Sequence, residues 1–116
     1  MLDVEGVREA LRGLCSKVVP VEETGECLLF YCRGVFGVFD LLVAVSWYGD
    51  WVYAKTVPEE LVKPYMWHCS DVFYNPYGLY TFSRSLDGLV KGIASKERLM
   101  RAQLRLARVR LGLGEE

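Results

Sequence analysis

The stretch RLMRAQLRLARVRLGLG, residues 98–114, fits two folds. Wound as a helix, it carries a basic row through Arg98, Arg101, Arg105 and Arg108. It also carries two apolar rows. One runs through Met100, Leu104, Ala107 and Leu111, the other through Leu99, Ala102, Leu106, Val109 and Leu113. A helix that is apolar on two sides must be sandwiched between neighbours. Laid out as sheet, Gln103-Leu104-Arg105-Leu106 alternates, and so does Arg108-Val109-Arg110-Leu111. The alternation slips at Ala107, as at a turn or a bulge. Periodicity leaves both options open, and the rest of the chain has to decide.

At 116 residues the chain is the size of one domain, taken as residues 1–116. More than half of it is apolar, enough for a packed core. Charges and glycines interrupt every apolar run before the roughly 18 residues that would span a bilayer. The start, MLDVEGVREALRGL, is amphipathic and carries acids, unlike a secretory leader. The expectation is a soluble cytoplasmic protein without a membrane partner. From Arg84 to Gly114 there are eight Lys or Arg against Asp87 and Glu97, whereas residues 1–83 carry an acidic excess. That asymmetry permits an anionic partner for the C-terminal part.

Cys15, Cys27, Cys32 and Cys69 contain no C-x-x-C pair, and His68 is the only histidine. This argues against zinc, and no metal or cofactor is expected. Buried thiols and a structural disulfide both stay open. A disulfide inside a cell would fit a thermophile. The side-chain amides are only Asn75 and Gln103, a scarcity that thermophile proteins share.

Residues 3–17 have helical apolar spacing with Asp3 as cap. Pro20 and EETGE then end that element. ECLLFYCRG reads as a strand, and residues 37–47 and 51–57 as two more joined by a tight turn at Tyr48-Gly49-Asp50. The continuous apolar character of DLLVAV makes its strand central and covered on both faces. Pro58 opens a short helix, PEELVK. YMWHCSDVFYNPYGLYTF reads as a loop with a short helix and a strand at its end. Residues 84–96 read as a helix capped by Ser85. The fold class is therefore mixed α/β, one small domain with a central mixed sheet flanked by helices.

Three segments in this order, Phe36-Gly37-Val38-Phe39-Asp40-Leu41-Leu42-Val43, then Val52 to Val57, then Ala94 to Ala102, resemble the catalytic-domain region of archaeal tRNA-splicing endonucleases. The resemblance extends over residues 5–113 through short motifs. It implies that a helix ends near Glu97 and that the C-terminal stretch is sheet. It also implies a Tyr, His and Lys triad that cleaves RNA without metal, with base, acid and cation around the phosphorus. Where the histidine belongs, this chain reads SWYGDW. Where the lysine belongs stands Glu97, or Lys96 after a slip of one residue. A domain with the fold and without the triad is similar to the family's small structural subunit. That subunit is non-catalytic and pairs with a catalytic chain as a heterotetramer, two of each, to cut bulge-helix-bulge precursor tRNA.

On that expectation Lys91, Lys96, Arg98 and Arg101 are the candidate RNA contacts, and Leu104, Leu106, Val109 and Leu111 the candidate interface. Other interpretations compete. One is a nucleic-acid-binding adaptor without chemistry, using the arginines for phosphates and the Tyr and Trp rings for bases. Another is a metal-dependent nuclease built on Asp40, Lys55 and Glu59 or Glu60, although the order E-x-K is absent. His68 is expected to pack among aromatics, and the aromatics to fill core and interface.

Overall fold

A computed structural model describes residues 2–37 and 39–112. The chain opens with helix α1, Val4–Leu11. Asp3 caps it, its carboxylate accepting from the Gly6 N–H at 2.7 Å. Four strands follow without interruption by a helix: β1 Lys17–Glu23, β2 Cys27–Val35, β3 Phe39–Tyr48 and β4 Trp51–Pro58. Two 3-10 turns, Glu59–Leu61 and Pro64–Met66, lead to the short helix α2, Cys69–Tyr74. Strand β5, Leu79–Ser83, closes the sheet, and helices α3, Leu86–Ala94, and α4, Glu97–Arg110, complete the fold. The class is mixed α/β as expected. Within the sheet the order is β1-β2-β3-β4-β5 and every pair is antiparallel, which corrects the expectation of a mixed sheet. β1 to β4 are joined by short turns that need no parallel crossover, and the longer β4–β5 connection also returns antiparallel.

β1 runs through Pro20, which the sequence reads as a breaker. Pro20 lies on the sheet's edge strand, where a missing N–H need not cost a ladder bond, and the register shifts just after it. β3 is central, with Leu41 through Val45 fully buried. The β3–β4 hairpin turns on Gly49 and Asp50, with Tyr48 opposite Trp51. Gly49 has φ +59°, the positive value that the first position of a type II′ turn requires.

The two faces of the sheet bury different sets. Phe30, Leu41, Val43 and Val45 meet Val7 and Leu11 of α1, Leu89 and Ile93 of α3, and Met100 and Leu104 of α4. On the other face Leu29, Leu42, Ala44 and Val57 meet Val62, Cys69 and Val72. A disulfide between Cys27 and Cys69 fastens α2 to the start of β2.

Residues 97–110 form a helix, which corrects the expectation of two closing strands. Burial of Met100, Leu104 and Ala107 at helical spacing accounts for this, and the edge of β5 adds to it. Carbonyls alternate in direction along a strand. Leu79 O accepts from Thr56 Oγ1 of β4, so Tyr80 O faces the open edge. The Lys96 ammonium occupies that carbonyl and also donates to Thr81 Oγ1 at 3.1 Å. A further strand would have to displace it.

Candidate protein interface on the C-terminal helix

The two apolar rows of α4 have different fates. Met100, Leu104 and Ala107 are buried in the core, 2%, 5% and 0% exposed. Leu99, Leu106 and Val109 point away from it, 58%, 50% and 55% exposed. The helix is therefore covered on one side only, where a sandwich was expected. Among the interface candidates, Leu104 belongs to the core, whereas Leu106, Val109 and Leu111 are on the surface. Leu113, which continues the outer row in sequence, lies outside the described residues.

Three polar fastenings hold α4 in place. The Arg108 guanidinium donates twice to the Glu60 carboxylate, at 2.8 and 2.6 Å. That pairing holds the Glu60 carboxyl below its usual range. The Gln103 side chain accepts from the Gly78 N–H at 2.6 Å and donates to its carbonyl at 3.1 Å. Asn75, the other amide, orders the same loop by accepting from the Tyr77 N–H at 2.8 Å. Gly78 itself has φ +108°, and a Cβ there would lie 2.7 Å from Val57 Cγ2 and 2.8 Å from Thr56 O. The third fastening is Arg101, which pairs with Glu97 and lies over the Phe39 ring, 5.1 Å from its centroid.

The expected RNA contacts are dispersed among these duties. Lys91 pairs with Asp87 at 3.0 Å on the outer side of α3. Lys96 closes the β5 edge and Arg101 holds Glu97. Arg98 is exposed, and it forms no ion pair with a described carboxylate; Arg105 and Arg110 share both properties.

The residues weighed as a nuclease centre have structural work. Asp40 accepts from the Gly34 N–H at 3.1 Å and from the Tyr31 hydroxyl at 3.4 Å, pinning the β2–β3 turn. Burial and the nearby Asp40 charge push the Tyr31 hydroxyl pKa up. Lys55 donates to the carbonyls of Phe73 and Asn75 at the end of α2, and burial pulls its pKa down. Leu41 pairs with Pro58 and Ala44 with Lys55, so Asp40 and Lys55 are about four residues, roughly 13 Å, apart along the sheet. No cluster of three metal-ligating residues occurs among the described residues.

His68 is not packed among aromatics. It lies at the surface, its Nδ1 3.1 Å from Glu22. Glu22 also accepts from the Cys69 N–H at 2.7 Å, and these bonds hold its carboxyl below the ordinary range. Cys15 and Cys32 remain buried thiols, and Cys32 is pushed up by its contact with Cys15 and by burial.

The aromatics are divided. Tyr31 packs on Trp67, and Phe36 on Phe39. A second group runs from β4 and β5 to α2, where Tyr53, Phe82, Tyr80 and Phe73 stack in succession at 5.5, 6.2 and 6.2 Å, with Phe82 and Tyr80 exposed and Tyr53 and Phe73 half-buried. Tyr48, Trp51, Tyr53 and Phe82 line a shallow hollow of about 310 Å³, and the Arg84 guanidinium lies 4.7 Å from the Trp51 centroid. The paired register, Tyr53 opposite Phe82 and Lys55 opposite Tyr80, creates this surface and could not be read before the strands were paired.

No helix among the described residues is long and apolar enough to cross a membrane. Compared with protein-family models, curated proteins and solved structures, the chain matches none.

Proposed function

We propose that this chain is a non-catalytic assembly subunit that works by docking on another protein. The observation that carries this reading is the outer row of α4. Leu99, Leu106 and Val109 are each half exposed or more on one face, beside the exposed Arg98, Arg105 and Arg110, which form no ion pair with a described carboxylate. Large apolar residues in one contiguous exposed strip mark an interaction site more often than scattered ones do.

The partner class in this proposal is the catalytic subunit of a tRNA-splicing endonuclease. Two of each chain would assemble on a bulge-helix-bulge precursor tRNA. What supports it is the order of the segments Phe36–Val43, Val52–Val57 and Ala94–Ala102, together with the missing histidine and the other engagements of Lys96. The closing strands that the resemblance implies are replaced by α4. Docking in this chain therefore runs through a helix face. Co-expression with the host's candidate catalytic subunit, followed by cleavage of a bulge-helix-bulge RNA, tests the proposal. A co-eluting assembly that alone cleaves supports it. A chain that ignores that subunit and leaves cleavage unchanged refutes the partner class.

The exposed ring surface favours a second reading, an RNA-binding adaptor. Stacked Tyr and Phe rings with Arg84 beside Trp51 can receive unpaired bases. It predicts salt-sensitive binding of single-stranded RNA by the chain alone, lost on Phe82→Ala.

A further inference from the structure

We infer that the occupant of the α4 outer face is an acidic amphipathic helix of another protein. The inference rests on the assembly reading above and names the chemistry of its partner. The outer row is Leu99, Ala102, Leu106 and Val109, with steps of 3, 4 and 3 residues. That is the a/d spacing of a helix that packs along another helix, knobs into holes. A strand or an extended peptide has no reason to match it. The helix is 14 residues long, about 21 Å, so the matching segment is about four turns.

The charges beside the row select the partner. In heptad terms Leu99 and Leu106 are a positions, and Ala102 and Val109 are d positions. Arg98 and Arg105 then take the g positions, and Gln103 and Arg110 the e positions. Gln103 is already bound to Gly78. Every exposed flanking charge is therefore positive. A second copy laid parallel sets Arg105 against Arg110 of its neighbour. Laid antiparallel, it sets Arg98 against Arg105. Like charges at these flanks oppose pairing. No other described helix of a second copy fits either. α1 carries acids, but its Val7 and Leu11 are buried in its own core. A partner helix with Leu or Ile at its seam and Glu at its flanks meets both requirements.

The test is a titration of the full chain with two synthetic helical peptides. Both have Leu at a and d over three heptads. One has Glu at every e and g position, the other Lys. Saturable binding of the Glu peptide, at least tenfold tighter than the Lys peptide and weakening with salt, is expected. Arg98→Glu with Arg105→Glu should reverse the preference, and Leu106→Asp should abolish binding of both. All three positions are exposed, and a thermal melt checks that the variants fold.

Equal affinity for the two peptides overturns the inference, and so does binding of neither. A dimer of the chain in light scattering that Leu106→Asp dissolves also overturns it, since a second copy is then the occupant. Displacement of the Glu peptide by an RNA oligonucleotide overturns it in favour of nucleic acid. If the Glu peptide binds as expected while the catalytic subunit does not co-elute, the partner class falls and this inference stands.

Discussion

Leu104 and Leu106 are two residues apart and chemically identical, yet replacing them with alanine should have different consequences. In a strand, residues two apart share a face, and both truncations would cost the same. In α4 they face opposite ways, Leu104 5% exposed and Leu106 50%. Leu104→Ala deletes three buried carbons at about 0.8 kcal/mol each, about 2.4 kcal/mol, before any cavity term. Adding a partly collapsed cavity gives about 3 kcal/mol, inside the roughly 2–5 kcal/mol range for such truncations. Leu106→Ala loses at most about half of the transfer contribution, about 1 kcal/mol, and alanine's better helix propensity offsets part of that. The assay is urea unfolding of wild type and both variants, with the disulfide intact and the slopes compared. The expected outcome is a loss from Leu104→Ala at least three times that from Leu106→Ala. Equal losses would refute the helical placement, or show that the outer face is already covered in solution.

Four further outcomes follow from the geometry. Gly78→Ala puts a Cβ 2.7 Å from Val57 Cγ2 at φ +108°, and should cost about 2–4 kcal/mol in thermal or urea unfolding. Removing the Cys27–Cys69 bridge, with a sequence separation of 42, should lower stability by about 4 kcal/mol in the chain-entropy model; a Cys27→Ala, Cys69→Ala chain that melts within a degree or two of wild type would contradict this. Glu22 has a depressed carboxyl pKa in the folded state, so its contribution is complete above the ordinary carboxylate range and is lost as pH falls through the folded value. A melting series from pH 6 to pH 3 should therefore be flatter for Glu22→Gln. Asp40→Ala should cost about 1–2 kcal/mol by freeing the Gly34 N–H, and should leave the chain's behaviour toward divalent metal unchanged in calorimetry.

Much of the scaffold was legible because local rules and tertiary packing agree. Asp3 and Ser85 cap where expected, Ser85 accepting from the Gly88 N–H at 3.0 Å. DLLVAV is buried on both faces, and Gly49 turns the hairpin. β1 was hidden by Pro20, which an edge strand tolerates and a central strand would not. Periodicity leaves the C-terminal stretch open, since Gln103 to Leu106 alternates as strictly as a strand, and the expectation of sheet there rests on the resemblance alone. What decides against a strand is the burial of Met100, Leu104 and Ala107 on one helical face. Lys96 on the Tyr80 carbonyl, a contact between residues 16 apart in sequence, adds to it by occupying the sheet edge. The candidate interface was visible as a second apolar row on a helical wheel. Its exposure was not, since a wheel says nothing about how many sides the rest of the fold can cover. The opposed positions of Glu60 and Arg108, 48 residues apart, were equally beyond reach.

The amide of Gln103 turns α4 into something that can be timed. The helix is held by one row of three core side chains and by polar latches that water can replace, so local unfolding of α4 is the opening to expect while the sheet stays folded. Each opening frees the Gly78 N–H, which otherwise donates to Gln103 Oε1 at 2.6 Å. Hydrogen exchange at Gly78 therefore counts openings of a helix that begins 19 residues later in the chain. A protein seated on Leu99, Leu106 and Val109 never touches Gly78. It would still slow that amide by mass action, because it binds only the closed state. A single backbone proton in a half-buried loop thus reports whether the far side of the molecule has found company.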